Sequence, residues 1–148
     1  MSQLRLLFLI AICCPIQLYG QGQSPAHKPF AGCYGVVSQV WRPTNEDLQV
    51  IPERFQLQSE SAFEPSRPLF AVRSLPASDN LAEKTWVWQP QGNRLWISFG
   101  NGLGGFRGTF KRSRAGELVG KLKEWCDSRC EWKTRIGTIR IQQIACTK

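Results

Sequence analysis

From residue 30 onward, short stretches dense in β-branched and aromatic residues recur between Gly, Pro, Asn and Ser punctuation, and none carries a 3.6-residue apolar stripe. Eight stand out: CYGVVSQVW (33–41), RFQLQSE (54–60), LFAVRSL (69–75), KTWVWQ (84–89), RLWISF (94–99), FRGTFKR (106–112), ELVGKLKEW (117–125) and TRIGTIRIQQIA (134–145). No internal repeat relates them. Eight strands joined mostly by short links predict an all-β chain, a single eight-stranded antiparallel up-and-down barrel.

Alternation and turn chemistry together predict a register for the middle strands. Gly92-Asn93 suits a two-residue turn, which sets Trp88 opposite Ile97 and Trp86 opposite Phe99. The Gly-rich link GNGLGG (100–105) sets Phe99 opposite Phe106 and Ile97 opposite Gly108. A three-residue turn at 113–115 then sets Gly108 opposite Gly120, Phe106 opposite Leu122 and Arg107 opposite Lys121. One face therefore reads Trp86, Phe99, Phe106 and Leu122, then Trp88, Ile97, Gly108 and Gly120, then Pro90, Leu95, Phe110 and Leu118. Arg107, Thr109, Lys111, Lys121 and Lys123 fall on the other, so one side is core and the other meets water. Gln142 and Gln143 interrupt the alternation in the last stretch and predict a bulge there.

The first twenty residues are organised differently. Arg5, an apolar run from Leu6 to Cys14, Pro15 and the small Gly20 read as a secretory signal peptide (1–20), with cleavage after Gly20 or Gly22. The run is too short to span a bilayer. Lipidation at Cys13 or Cys14 would need a small residue just before the acceptor, where Ile12 and Cys13 stand. A flexible arm (21–31) and a barrel domain (32–148) follow, for a chain expected to be secreted or periplasmic with no membrane span.

Export leaves four cysteines, Cys33, Cys126, Cys130 and Cys146. In an oxidising compartment an even count reads as two disulfides. In an up-and-down barrel the first strand starts at the end where the last one finishes. Cys33 opens the first and Cys146 closes the last, so a Cys33–Cys146 bond would latch the seam. Cys126–Cys130 would then pinch the last turn. The rival is a four-thiolate zinc site, which the compartment and a lone histidine, His27 in the arm, disfavour. No metal or other cofactor is expected.

Glycine within a strand often marks the close approach of another group. Paired Gly108 and Gly120 predict a recess beside Trp88, filled either by tryptophan as ordinary core or by a small apolar ligand bound among Trp86, Trp88, Ile97, Phe99, Phe106, Gly108 and Gly120. The mouth would lie at the end bearing the longest loop, RPTNEDLQVIPE (42–53), and CDSRC (126–130). Among the six tryptophans, Trp96 and Trp125 are the ones expected outside, where rings can stack on sugars.

The formal net charge of +8 is concentrated: residues 92–148 hold twelve basic and four acidic side chains. Arg107, Lys111, Arg112, Arg114, Lys121 and Lys123 form a candidate anion-binding surface, against the alternative of a solvated, salt-screened face. An anionic surface or a protein partner fits it. Nucleic acid does not, given export and the lack of aromatics interleaved as in a single-strand groove.

Enzyme signatures are missing from the sequence: no G-x-S-x-G elbow and no P-loop, and nothing in their spacing selects Glu117, Glu124, Asp127 or Glu131 as an acid–base pair. The expectation is a protein that is not an enzyme.

Gly32-Cys33-Tyr34, standing where lipocalins carry G-x-W, and a terminal-strand cysteine tied back across the sheet make the chain resemble a lipocalin-like (calycin) barrel, with Arg140 the candidate for that family's final-strand arginine. FAGCYGVV, VIPERFQL and the closing IAC are similar to small exported bacterial proteins of unassigned function. The resemblance implies a carrier of an apolar ligand or a barrel whose rim blocks another protein. The expectation is thus a secreted binding protein holding a small apolar molecule in the barrel, with an interaction or inhibitor protein acting through rim loops and a basic outer face as the alternative.

Overall fold

Strict alternation gives each strand one apolar face, and the only way to bury eight such faces without a second layer is to curl the sheet until they face one another. The structure, a computed structural model, describes residues 29–43, 51–62, 69–78, 80–127 and 134–146. The strands are β1 (Gly32–Arg42), β2 (Arg54–Ser61), β3 (Phe70–Ser74), β4 (Val87–Gln91), β5 (Arg94–Gly100), β6 (Gly104–Arg112), β7 (Leu118–Cys126) and β8 (Ile136–Ile144). Each pairs antiparallel with the next, and β8 returns to β1 to close the barrel. The seam runs from Cys33 opposite Ile144 to Arg42 opposite Ile136, and the Cys33–Cys146 disulfide bridges its lower end with 5.3 Å between Cα atoms.

Three local expectations are corrected. Residues 84–85 belong to a 3₁₀ turn (Leu81–Thr85) rather than to a strand, and the pairing of β4 starts at Val87. The cause is Glu83: its carboxylate accepts from the Ser74 hydroxyl and, at 3.3 Å, from the Ser74 amide, while the Trp86 amide donates to the Glu83 carbonyl and closes the turn. Second, the bulge lies on β1, not β8. Val36 faces Ile141 and Ser38 faces Arg140, so Val37 is the extra residue, and Gln142 and Gln143 pair regularly with Gly35 and Tyr34.

The third correction concerns β6 and β7. Gly108 faces Leu122, Phe110 faces Gly120, Phe106 faces Glu124 and Arg107 faces Lys123, two residues away from the predicted pairing. The turn is longer than three residues. Arg112 and Leu118 are the last pair, the Ser113 amide donates to the Glu117 carbonyl at 2.7 Å, and Gly116 takes a φ of +85°. A slip of two preserves the inner and outer faces, because side chains alternate with period two. Trp88 opposite Ile97 and the whole of the predicted β5–β6 register match the observed pairing, while Trp86 stands just before β4.

One core cluster fills the barrel, built on Phe55, Leu57, Val72, Trp88, Leu95, Ile97, Phe110, Leu118, Leu122, Ile139 and Ile141. Phe30, assigned by sequence to the arm, is part of it at 4% exposure, and the Tyr34 hydroxyl donates to its carbonyl at 2.9 Å. The expected signal peptide, the rest of the expected arm and the expected Cys126–Cys130 bridge fall wholly or partly outside the described residues. Cys126 is disulfide-bonded, but Cys130 lies in 128–133.

Candidate functional site

The inner wall can be followed as rows around the barrel. One row runs Trp88, Ile97, Gly108, Leu122, Gly137 and Trp41, and the next runs Pro90, Leu95, Phe110, Gly120 and Ile139. Large and small residues alternate because the circumference is too tight for six large ones. Gly108 and Gly120 therefore stand in different rows, and the predicted two-glycine recess does not form. A Cβ on Gly120 would come within 2.6 Å of the Phe110 ring, one on Gly137 within 2.6 Å of the Trp41 ring, and one on Gly108 would fall on the Lys121 carbonyl oxygen. Phe110, Trp41 and the backbone of β7 fill the space that the glycines open.

Trp88 crosses the middle of this interior. It is 0% exposed, its ring lies 4.8 Å from that of Phe70, and its indole N–H donates to the Gln58 carbonyl at 2.9 Å. Ile97, Leu95, Leu122, Ile139 and Ile141 are also at 0%, so no water-sized space touches any of them. Of the predicted ligand residues, Trp86, Trp88, Ile97, Phe99 and Phe106 are brought together in this one cluster.

The two barrel ends differ. At the end of the tight turns, Phe30 and Tyr34 close the interior. Burial pushes the Tyr34 phenol above its ordinary pKa, and the Arg112 guanidinium beside it pulls part of the way back. At the loop-bearing end, half-buried Trp86 packs edge-on against Phe99 at 5.3 Å and half-buried Trp41 against Phe106 at 4.8 Å. Here the inner face also carries an ion pair. Glu124, opposite Phe106 on the inward face, meets the Arg135 guanidinium at 2.8 Å, with both side chains about nine-tenths buried, and accepts the Arg135 amide at 3.1 Å as well. Arg135 lies 5.1 Å over the Phe106 ring. The hydrogen bond to Glu124 raises the Arg135 pKa, so the guanidinium stays charged.

Sequence reasoning missed Trp41 and the Glu124–Arg135 pair. The Val37 bulge flips Trp41 from the outer to the inner face, and the two-residue slip carries Glu124 to a place opposite Phe106. The doublet Gly137 and Trp41 was the available signal, since a strand glycine needs a large neighbour to cover it.

On the outside, β5 to β8 align Ser98, Arg107, Lys123 and Ile136 in one row, Trp96, Thr109, Lys121 and Thr138 in the next, and Arg94, Lys111, Val119 and Arg140 in a third. Arg140 has a carboxylate, Glu117, at 2.6 Å. Among the described residues no carboxylate pairs with Arg94, Arg107, Lys111, Lys121 or Lys123. Arg107 lies 5.3 Å over the ring of Trp125. Four of the six predicted anion-binding residues thus share this wall. Arg112 instead turns to the closed end, donating to the carbonyls of Gly116 at 3.0 Å and Pro29 at 3.3 Å, and Arg114 is exposed in the turn.

Among the described residues no group of three His, Cys, Asp or Glu is placed to hold a metal, and no helix is long and apolar enough to cross a membrane. Asp127 is exposed, Glu117 and Glu124 are each held by an arginine, and Glu131 lies outside the described residues.

The class that these features define is an all-β closed eight-stranded barrel, an architecture compatible with the lipocalin-like fold. No protein family, curated protein or solved structure matches the chain.

Proposed function

We propose that this is an exported, non-enzymatic binding protein that acts through its outside, with the basic wall of β5–β8 meeting an anionic surface or an anionic protein. The observation that carries this reading is the in-register pair Arg107 and Lys123, two cations opposite each other with no carboxylate in reach among the described residues. Like charges directly opposite on a sheet are destabilising, and an anionic partner removes that cost. The filled interior supports the same reading, because the residues around Trp88 leave no room for a guest at mid-depth. Retention on anionic beads tests it. Binding should fall steeply with salt, as the screening length shortens from about 10 Å at 0.1 M to about 3 Å at 1 M, and should be lost in the Arg107→Glu/Lys123→Glu variant. Retention of that variant at unchanged salt would remove the wall from the binding surface.

The second reading, a small apolar ligand, rests on the mouth of the predicted site and not on its two-glycine recess: the loop-bearing end, where Trp41 and Trp86 are only half-buried above Phe99 and Phe106. Stoichiometric uptake of an apolar fluorescent probe, abolished by Trp86→Ala, is its signature.

A further inference from the structure

At the closed end of the barrel, a cleft of about 460 Å³ lies between the N-terminal segment and the β4–β5 turn. Its walls include Phe30, Asn93, Arg94, Lys111 and Arg112. Among the described residues its three ionisable side chains are all cations and no carboxylate lines it. Arg94 and Lys111 are direct cross-strand partners, a second like-charge pair. The contrast within their own row is informative: Arg140, two strands further round, is neutralised by Glu117, whereas Arg94 and Lys111 have no carboxylate partner among the described residues.

Arg112 adds a fixed charge. Its two terminal nitrogens donate to the Gly116 and Pro29 carbonyls, which hold the guanidinium in place without neutralising it. A planar cation held in this way gives up little entropy on meeting an oxyanion. Phe30 and Pro29 supply an apolar border beside the three charges.

We infer that this cleft binds a phosphomonoester, with Arg94 and Lys111 meeting its oxygens and Arg112 supplying the third positive charge. Three cations suit a group that carries about −1.5 to −2 at neutral pH better than they suit a monoanion. The inference deepens the anionic-partner reading and shares Lys111 with it, but concerns a different end of the molecule from Arg107 and Lys123.

The probe is inorganic phosphate, titrated into the isotopically labelled protein at constant ionic strength set by chloride. The amide signals of Gly92, Asn93 and Arg94 should shift saturably. Arg94→Gln and Lys111→Gln, both at exposed positions, should each weaken binding by roughly tenfold or more, as expected when a hydrogen bond to a charged group is lost, while the rest of the spectrum stays unchanged. Arg112 is left intact because it also holds the Phe30 segment. Vesicles separate the sources of the group. In the Arg107→Glu/Lys123→Glu background, where the wall no longer attracts anionic vesicles, sedimentation with phosphatidylcholine vesicles containing phosphatidic acid, and not with those containing phosphatidylglycerol, marks a lipid headgroup, whereas phosphate binding without sedimentation marks a soluble phosphomonoester. The absence of a saturable shift, or an equal shift in both variants, overturns the inference. Arg107→Glu/Lys123→Glu should leave the phosphate titration unaltered, so the cleft and the wall fail independently.

Discussion

At the scale of single residues, the decisive feature is how closely backbone and rings approach the strand glycines. Gly120 has the Phe110 ring and the Thr109 carbonyl oxygen each 2.6 Å from where a Cβ would stand, so Gly120→Ala must push a ring and a backbone segment apart. The expected cost is about 1–3 kcal/mol, read as a lower urea midpoint with an unchanged slope. Tyr34 gives a second prediction. Its folded pKa is raised, chiefly by burial, so its contribution to stability is complete below the unfolded value of about 10 and is lost as pH rises through the folded one. In a chain beginning at Gln21, Tyr34 is the one tyrosine, so tyrosinate absorbance reports it directly. The absorbance midpoint should lie above 10 on the ordinary scale. Tyr34→Phe should flatten the alkaline fall in stability relative to the parent. The residue types on the inner face were legible because apolar side chains and glycines stand out at period two. Which ring covers which glycine was not, since that depends on neighbours two strands away.

Elements are governed by turn length and by the groups at strand ends. A hairpin loop counted as three residues and built as five moves β7 by two positions against β6, and every side chain stays on its face while all its partners change. The core list therefore survives the error and the pair list does not. Arg107 meets Lys123, and Glu124 arrives beside Phe106 where Arg135 can reach it. This buried pair yields a prediction at its own scale. Glu124→Gln should destabilise the fold by about 3 kcal/mol, because a guanidinium is left enclosed without its counter-charge. The Glu124→Gln/Arg135→Met double variant should recover part of that in chemical denaturation. A loss below about 1 kcal/mol for the single change would mean that the pair behaves as a surface bridge. The end of the β3–β4 connection departs from expectation for a related reason. KTWVWQ has strand composition, but the bonds between Glu83 and Ser74 wind its first residues into a 3₁₀ turn.

For the whole molecule, closure is the central property. Cys33 and Cys146 are 113 residues apart in sequence and join the strands that close the circle. In the chain-entropy account a bridge of that span contributes about 4–5 kcal/mol. Cys33→Ser/Cys146→Ser should lower the denaturation midpoint accordingly and should expose the β1–β8 seam first in hydrogen exchange. Protection of β1 and β8 equal to that of β5 and β6 in the variant would show that side-chain packing alone holds the seam. Charge is also a property of the whole: the basic C-terminal half becomes one wall because β5 to β8 are neighbours in space as well as in sequence.

Taken alone, the sequence determined the number of strands, which residues of β4 to β7 face inward, the antiparallel closure and the pairing of Cys33 with Cys146. All of these follow from alternation, from local turn chemistry and from the odd–even direction of an up-and-down sheet. Only the tertiary structure decided that the interior is filled at mid-depth, that Phe30 belongs to the core, and that Arg94, Lys111 and Arg112 share a cleft with no carboxylate among its described lining residues. Volume and charge balance are sums over side chains brought together around a closed circle. They depend on register and on the reach of each ring or guanidinium, and neither is encoded in the period of the pattern.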